Sequence, residues 1–576
     1  MCDSTKVTAA SAPLARCISC FGGRHFPARR FPIVLLLLAA AAFQPVDAQR
    51  AGHAVAPESP DYEALLALHA EFLEVAASVI EDGVPNYTPA AMSAQHRAVS
   101  ELLERANAMD SRAWPTAKRV DHLLVIAEMR ALEFQHRSVR PWSRDPGFYA
   151  AISLGFGPKV HQALSVPGLP IAEERLDYVS MKLDAVPVLY RQARENLTEP
   201  AADLARLAMA TKIVERNVMR QFAEAVAEHH PELAPKAHAA ADAAEDYRVW
   251  IEERLPTMTE PAGVGHEDYE WYLRHVLLLP YTFDEMVAIT EREYERSVAM
   301  MRVREFLDRD IPMPEPVESF EEYDRIRYEA GTELLAWLRE NELLTLPEGL
   351  EQGRGTPPYQ FPAMRDPAEP GPFDLPIRRH FFREIEDRDA MSLRGHDLPG
   401  HRLDALVLSE DDRPIRGRNS MYFVNGPRME GWAYYQEEVI YQGGLLDDRP
   451  RATELHYLMQ AKRAARVLPE LMMHANEWDF ATALESLITR TPYWMEPGDA
   501  IALFDMELYL RQPGYGLGYL IGKMQFEELL ATRANQLGDA FDLREFHDEF
   551  LAAGVIPISL IRWEMTGLED QVEAMW

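Results

Sequence analysis

The sequence predicts a mostly α protein with a minor β component, and three observations carry that expectation. Apolar residues recur at three- and four-residue spacing in one segment after another. Cap signals open and close those segments. No β-rich block and no repeat of fixed period interrupts them. The chain has 576 residues, of which 47% are hydrophobic and 10% aromatic, so wholesale disorder is excluded and a large interior with room for two lobes is expected.

The chain opens with a leader. Arg29 and Arg30 precede Pro32 and an unbroken apolar run from Ile33 to Phe43, and Val46 and Ala48 supply small residues at a cleavage site. A charged flank, a short apolar run and a small-residue exit make residues 1–48 a secretory signal peptide, too short to span a membrane. The expectation is a secreted or periplasmic protein with no stable membrane insertion after cleavage. All three cysteines, Cys2, Cys17 and Cys20, precede the cut. The mature chain then has no disulfide, no cysteine nucleophile and no thiolate ligand. No cysteine directly follows the apolar run, so a lipid anchor is not signalled.

Residues 49–576 read as one large helical domain, with the motif-bearing part at about 380–576. From Pro60 to about Asp310 the pattern is helical, starting with YEALLALHAEFLEVAASVI at 62–80 and continuing through Val120–Leu132, Ala201–Ala227 and Ala239–Leu255. Thr282 and Glu285 form a capping box before the next helix. Pro256, Pro261 and Gly263 mark joints. Leu343–Pro376 is rich in proline and glycine and reads as irregular loop and short strand, either a substrate-facing lid or a surface connector. Helix resumes near Arg379, and Asp411–Asn419 is polar loop. Glu430–Tyr441 is helical and stops at Gly443-Gly444. Ala452–Met473 reads as one further helix. Leu543–Ala553 is opened by Asp542 with Glu545 and closed by Gly554.

The formal net charge is −33. Nucleic acid and anionic membrane both need basic patches, so neither is expected as a partner. There is no G-x-S-x-G elbow, P-loop, EF-hand loop or Rossmann glycine pattern. Acidic pairs such as Glu437-Glu438 are expected by chance in so acidic a chain.

One stretch is chemically unusual. In LRGHDLPGHRLD at 393–404, His396 and His401 flank Pro399-Gly400, Asp397 follows the first histidine, and Glu430 stands further on. Two imidazoles and two carboxylates are the parts of a catalytic zinc site. Residues five apart lie about 140° apart around a regular helix and share no face. Proline and glycine between them permit a backbone irregularity that would let the imidazoles converge.

The segments PGH at 399–401, EGWAYY at 430–435, RQPGYGLGYLIGK at 511–523 and FDLREFHDEFLAAGVIPISLI at 541–561 resemble the domain-of-unknown-function 885 family over most of the mature chain. That resemblance implies a bacterial, often exported, large helical fold with a deep cleft, similar to neurolysin-like and thermolysin-related zinc peptidases. The implied activity is hydrolysis of short peptides by metal-activated water. The family pattern H-E-x-x-P-G-H-x-x-Q reads H-D-x-P-G-H-x-x-D here, with Asp397 for glutamate, one residue fewer before the proline, and Asp404 for glutamine. Aligned without a gap, Gly395 would fall at the first histidine position and His396 at the glutamate.

With the shortened spacing, the resemblance implies His396, His401 and Glu430 as ligands of one zinc ion and Asp397 as general base. It implies His474 and Tyr519, with Tyr515 nearby, as groups that orient substrate or stabilise the oxyanion. Glu470 stands where the family has aspartate, and His547 reads as structural. Arg511 and Lys523 are candidates to pair with a peptide carboxylate. The alternative is a relative that binds peptides or a protein partner without hydrolysis. Peptide preference and oligomeric state are not readable.

Overall fold

The computed structural model describes residues 60–81, 83–152, 163–164, 166–351 and 380–576. The expected signal peptide with its cysteines, and most of the Leu343–Pro376 stretch, lie outside these residues.

The protein is mostly α, as its periodicity predicts. The first half supplies helices at Pro60–Ala76, Pro89–Asn107, Thr116–Phe134, Glu173–Asn196, Ala202–Val226, Ala234–Arg254, His266–His275, Phe283–Leu307 and Phe320–Glu340. The Thr282 hydroxyl and the Glu285 carboxylate exchange capping bonds with each other's backbone N–H, so the predicted capping box is formed. The first apolar run is not helical to its end. The helix stops at Ala76, and Ile80–Glu81 pairs antiparallel with Val84–Pro85. That two-stranded ribbon is the sheet of the described residues. Leu343–Glu351, the described start of the Pro/Gly stretch, is irregular.

The second half carries the motifs. Short helices at Phe381–Glu386 and Met391–Gly395 lead into a π-helical turn, His396–Arg402, and then the helix Leu403–Glu410. The glutamate helix, Gly426–Gln442, ends at Gly443, and Gly444 at φ +81° turns the chain away. The tyrosine helix is Tyr515–Leu537. Asp542 caps Leu543–Ala553 by accepting from the Glu545 N–H, and Gly554 at φ +100° ends it.

The stretch predicted as one helix from Ala452 to Met473 is two: the arginine helix Ala452–Ala465 and a second helix, Val467–His474, with Arg466 between them. Pro469 explains the break. It has no N–H to donate to the carbonyl of Ala465, and its ring would crowd that carbonyl.

Residues 58–576 form one compact unit. Its largest apolar core joins the first three helices to the motif-bearing ones, with Trp432 fully buried in it. A second core lies among the helices of residues 173–254. A third joins residues 455–510 to Phe381 and Ile385. The glutamate and tyrosine helices pack closely along their lengths, as do the arginine helix and Phe283–Leu307. These two pairings set the walls of the site.

Candidate metal centre

The π-helical turn answers the spacing problem. Its hydrogen bonds run from each residue to the fifth beyond, so residues five apart come to lie over one another. His396 and His401 therefore project to one side. Pro399 sits inside this turn, and its carbonyl accepts from the buried Trp432 indole at 2.8 Å. Gly400 lies directly against Ala433, and a side chain there would meet the Ala433 Cα at 2.9 Å. Gly431 likewise lies against Gly522 of the tyrosine helix, where an added Cβ would sit 2.3 Å from the Gly522 carbonyl carbon. Glycine at these positions lets three backbones close on one point.

At that point His396 Nε2 and His401 Nε2 are 3.1 Å apart. Glu430 Oε2 lies 3.6 Å from the first and 3.4 Å from the second. Among the described residues these three side chains form the group that could hold a metal ion. Ligands about 2.0–2.1 Å from a tetrahedral ion are separated from one another by roughly 3.3 Å. The three observed separations bracket that value. Glu430 Oε2 is buried and has no hydrogen-bond partner, while Tyr515 donates its hydroxyl to Oε1 at 3.0 Å. A buried carboxylate oxygen facing two imidazole nitrogens, with no donor of its own, fits a metal ion. Glu430 is buried and His401 is one-third exposed, so the group opens to solvent on the histidine side.

The charges agree with this. Burial opposes ionisation of Glu430, but His401 and His396 outweigh it and hold the carboxyl well below its usual range. Burial likewise works against a charged His401, yet Glu430 raises its pKa.

Behind His396 stands Glu437. Its Oε1 is 3.0 Å from His396 Nδ1 and pairs with Arg463 of the arginine helix. A carboxylate on Nδ1 fixes the tautomer that leaves Nε2 free to ligate. Glu437 lies seven residues after Glu430, two helical turns on and so on the same face. That spacing was the available signal. Asp404 makes a buried ion pair with Arg428, Nη1 reaching its two oxygens at 2.7 and 2.6 Å, which ties the segment after the π turn to the glutamate helix.

The remaining predicted residues divide. Tyr519 stacks on His396 with ring centroids 5.9 Å apart, and Tyr515 touches Glu430, so both tyrosines adjoin the three candidate ligands. Burial, then the Glu430 charge, pushes both phenols far up, and both stay protonated. Asp397 is turned elsewhere: its carboxylate pairs with Arg394, lies 3.8 Å from Arg327 and is 40% exposed. His474 is buried against the Tyr269 ring, with Nε2 2.9 Å from the Tyr509 carbonyl oxygen. Arg511 pairs with Asp145 and Glu507, and Lys523 with Glu527. His547 bridges the Tyr435 hydroxyl and the Leu343 carbonyl.

Glu470 has a role that residue type alone did not show. Its carboxylate accepts the N–H groups of Gly514 at 2.6 Å and Leu517 at 2.7 Å, and the Tyr269 hydroxyl at 3.0 Å. Gly514 has no side chain with which to cap the tyrosine helix, and Glu470 caps it from another helix. That contact fixes the turn bearing Tyr515 and Tyr519. Burial pushes the Glu470 carboxyl up to about 7 against those donors.

Comparison with known proteins follows the same outline. The family described as bacterial protein of unknown function (DUF885) matches residues 69–341 and 339–565. A solved structure from Shewanella oneidensis, described as a candidate lipoprotein of unknown function, is similar at 16% identity and a TM-score of 0.64, covering 88% of this chain and 98% of that one. Another candidate lipoprotein, from Colwellia psychrerythraea, is similar at 18% identity and a TM-score of 0.65, covering 89% and 100%. At those identities the likeness is one of fold. None of the curated proteins compared matches the chain.

Proposed function

We propose, from the premise that this chain belongs to the DUF885 family, that it is an exported zinc-dependent peptidase acting on short peptides. One observation carries the reading: three ligand atoms from His396, His401 and Glu430 face one point at tetrahedral spacing, beside two protonated tyrosines. A divalent ion held there would supply Lewis acidity toward a peptide carbonyl and its attacking water. Glu430 and the two histidines would hold the ion, and Glu437 holds His396. In this reading Tyr519 donates a hydrogen bond to charge developing on the carbonyl oxygen, while Tyr515, whose hydroxyl donates to Glu430, holds that carboxylate in position. Asp397 is the proton acceptor in this reading, released from Arg394 when substrate enters. Export follows from the leader at residues 1–48 and accords with the lipoprotein descriptions of the two structural neighbours.

A second reading, peptide binding without hydrolysis, is favoured by one observation: Asp397 is occupied by Arg394 rather than directed at the three ligands. Hydrolysis of a mixed short-peptide library, with and without chelator, separates the two. The first reading expects chelator-sensitive cleavage that falls by about 10²–10⁴-fold in Asp397→Asn, the range for loss of a general base. Full cleavage in Asp397→Asn removes that residue from the chemistry, and no cleavage by the metal-loaded wild type leaves the binding reading.

A further inference from the structure

Arg466 sits at the break between the arginine helix and Val467–His474, and it is 1% exposed. Its guanidinium lies 3.7 Å from the centre of the Tyr519 ring, the ring that stacks on His396. Its Nε and Nη2 are buried with no hydrogen-bond partner. Among the described residues its ion pair is with Asp505, 3.7 Å from Nη1, and Asp505 already pairs with Lys462, while the Glu430 charge acts on it without a hydrogen bond. Neighbouring Arg463 differs, because Glu437 matches its charge. Arginine does not lose its proton in proteins. The surrounding charges favour the guanidinium's positive form, but two buried N–H donors without acceptors are costly until an acceptor such as an anion arrives.

The position limits what that anion is. The guanidinium is no more than about 10 Å from the His396 ring, given its contact with Tyr519 and the 5.9 Å stack. A peptide covers at most about 3.6 Å per residue, so a group at Arg466 lies within about three residues of a carbonyl at the ligands. The net charge of −33 repels polyanions. A single carboxylate carried in by an otherwise neutral or cationic peptide suits both constraints, and its two oxygens suit the planar fork of arginine.

We propose that Arg466, with its unpartnered Nε and Nη2 beside Tyr519, binds the terminal carboxylate of the peptide, making this a site for peptides cleaved near their free C-terminus. This rests on the peptidase reading for the word cleaved, but not for the binding.

The test uses the full chain treated with chelator, so that no hydrolysis intrudes. Binding of acetyl-Ala-Ala and of its C-terminal amide is measured by calorimetry for the wild type, Arg466→Gln and Arg466→Lys. The wild type should bind the acid about tenfold or more tightly than the amide, the range for a charge-assisted hydrogen bond. That preference should vanish in Arg466→Gln and survive in part in Arg466→Lys. Equal binding of acid and amide by the wild type, or binding of neither, overturns the proposal whatever the variants do. Preference retained in a folded Arg466→Gln, checked by its melting curve, also overturns it. Metal is then restored and the same pair of termini compared on longer peptides. Arg466-dependent acid preference without cleavage sinks the peptidase reading and leaves this one. Cleavage with no acid preference, or an equal loss of kcat on acid and amide in Arg466→Gln, sinks this one and leaves the other.

Discussion

Glu437 holds His396 from behind, and its removal separates ligation from orientation. Glu437→Gln keeps the size and loses the charge on His396 Nδ1. Metal affinity should fall by about 10–100-fold, as for other groups that orient a ligating histidine, while the folded structure persists. Isothermal titration of the metal-stripped protein with zinc measures this, and unchanged affinity would deny Glu437 the role. The same residue shows what a sequence conceals. His396, His401 and Glu430 are legible because each stands in a short segment with distinctive neighbours. Glu437 is one of 92 acidic residues and carries no mark of its own except its seven-residue distance from Glu430. Asp397 has the converse history. Its place after His396 suggests a base, yet Arg394 three residues before it is equally a sequence-level partner, and the fold shows which pairing is made.

At the scale of elements, the site depends on how closely three backbones approach. Gly431→Ala would force a Cβ to within 2.3 Å of the Gly522 carbonyl carbon. Neither partner is a flexible side chain, so the glutamate and tyrosine helices must part. Overpacking of this kind costs about 1–3 kcal/mol, and here it should also weaken metal binding by displacing Glu430. Thermal melting and zinc titration of the variant check the two effects, and a variant with wild-type melting would show that the helices have slack. Most helices are legible from periodicity and caps, since burying one face dictates the spacing and the unpaired end groups call for the caps. The π turn was legible only as an irregularity, because Pro399-Gly400 permits several backbone paths and the packing of Trp432 and Ala433 selects one. The apolar spacing continues across the break at Arg466, so periodicity hides it and only Pro469 marks it.

Over the whole molecule, stability depends on histidines buried without charge. Burial lowers His474 from 6.5 to about 4, against the pull of the Tyr509 carbonyl. His136 and His547 are lowered similarly, with burial the main cause in each. Between about 4 and 6.5 the unfolded chain binds these protons and the folded chain does not. Each histidine's contribution is therefore complete above about 6.5 and is lost as pH falls toward 4. Glu470 runs the other way: its raised carboxyl favours the folded state below about 4.5 and loses that effect as pH rises through about 7. Comparing His474→Gln with the wild type isolates one term. The wild type's advantage in melting should shrink on going from pH 7 to pH 5, by on the order of 2 kcal/mol at 1.36 kcal/mol per unit. An advantage that does not change with pH would mean His474 is charged in the fold.

The central claim is that His396, His401 and Glu430 together hold one metal ion. The direct measurement is metal content per chain by elemental mass spectrometry, after zinc loading and exhaustive dialysis, for the wild type, His401→Ala and Glu430→Gln. One zinc per wild-type chain, lost in both variants while they remain folded, is the result these distances predict. A wild type that retains no metal, or variants that retain it in full, would contradict it.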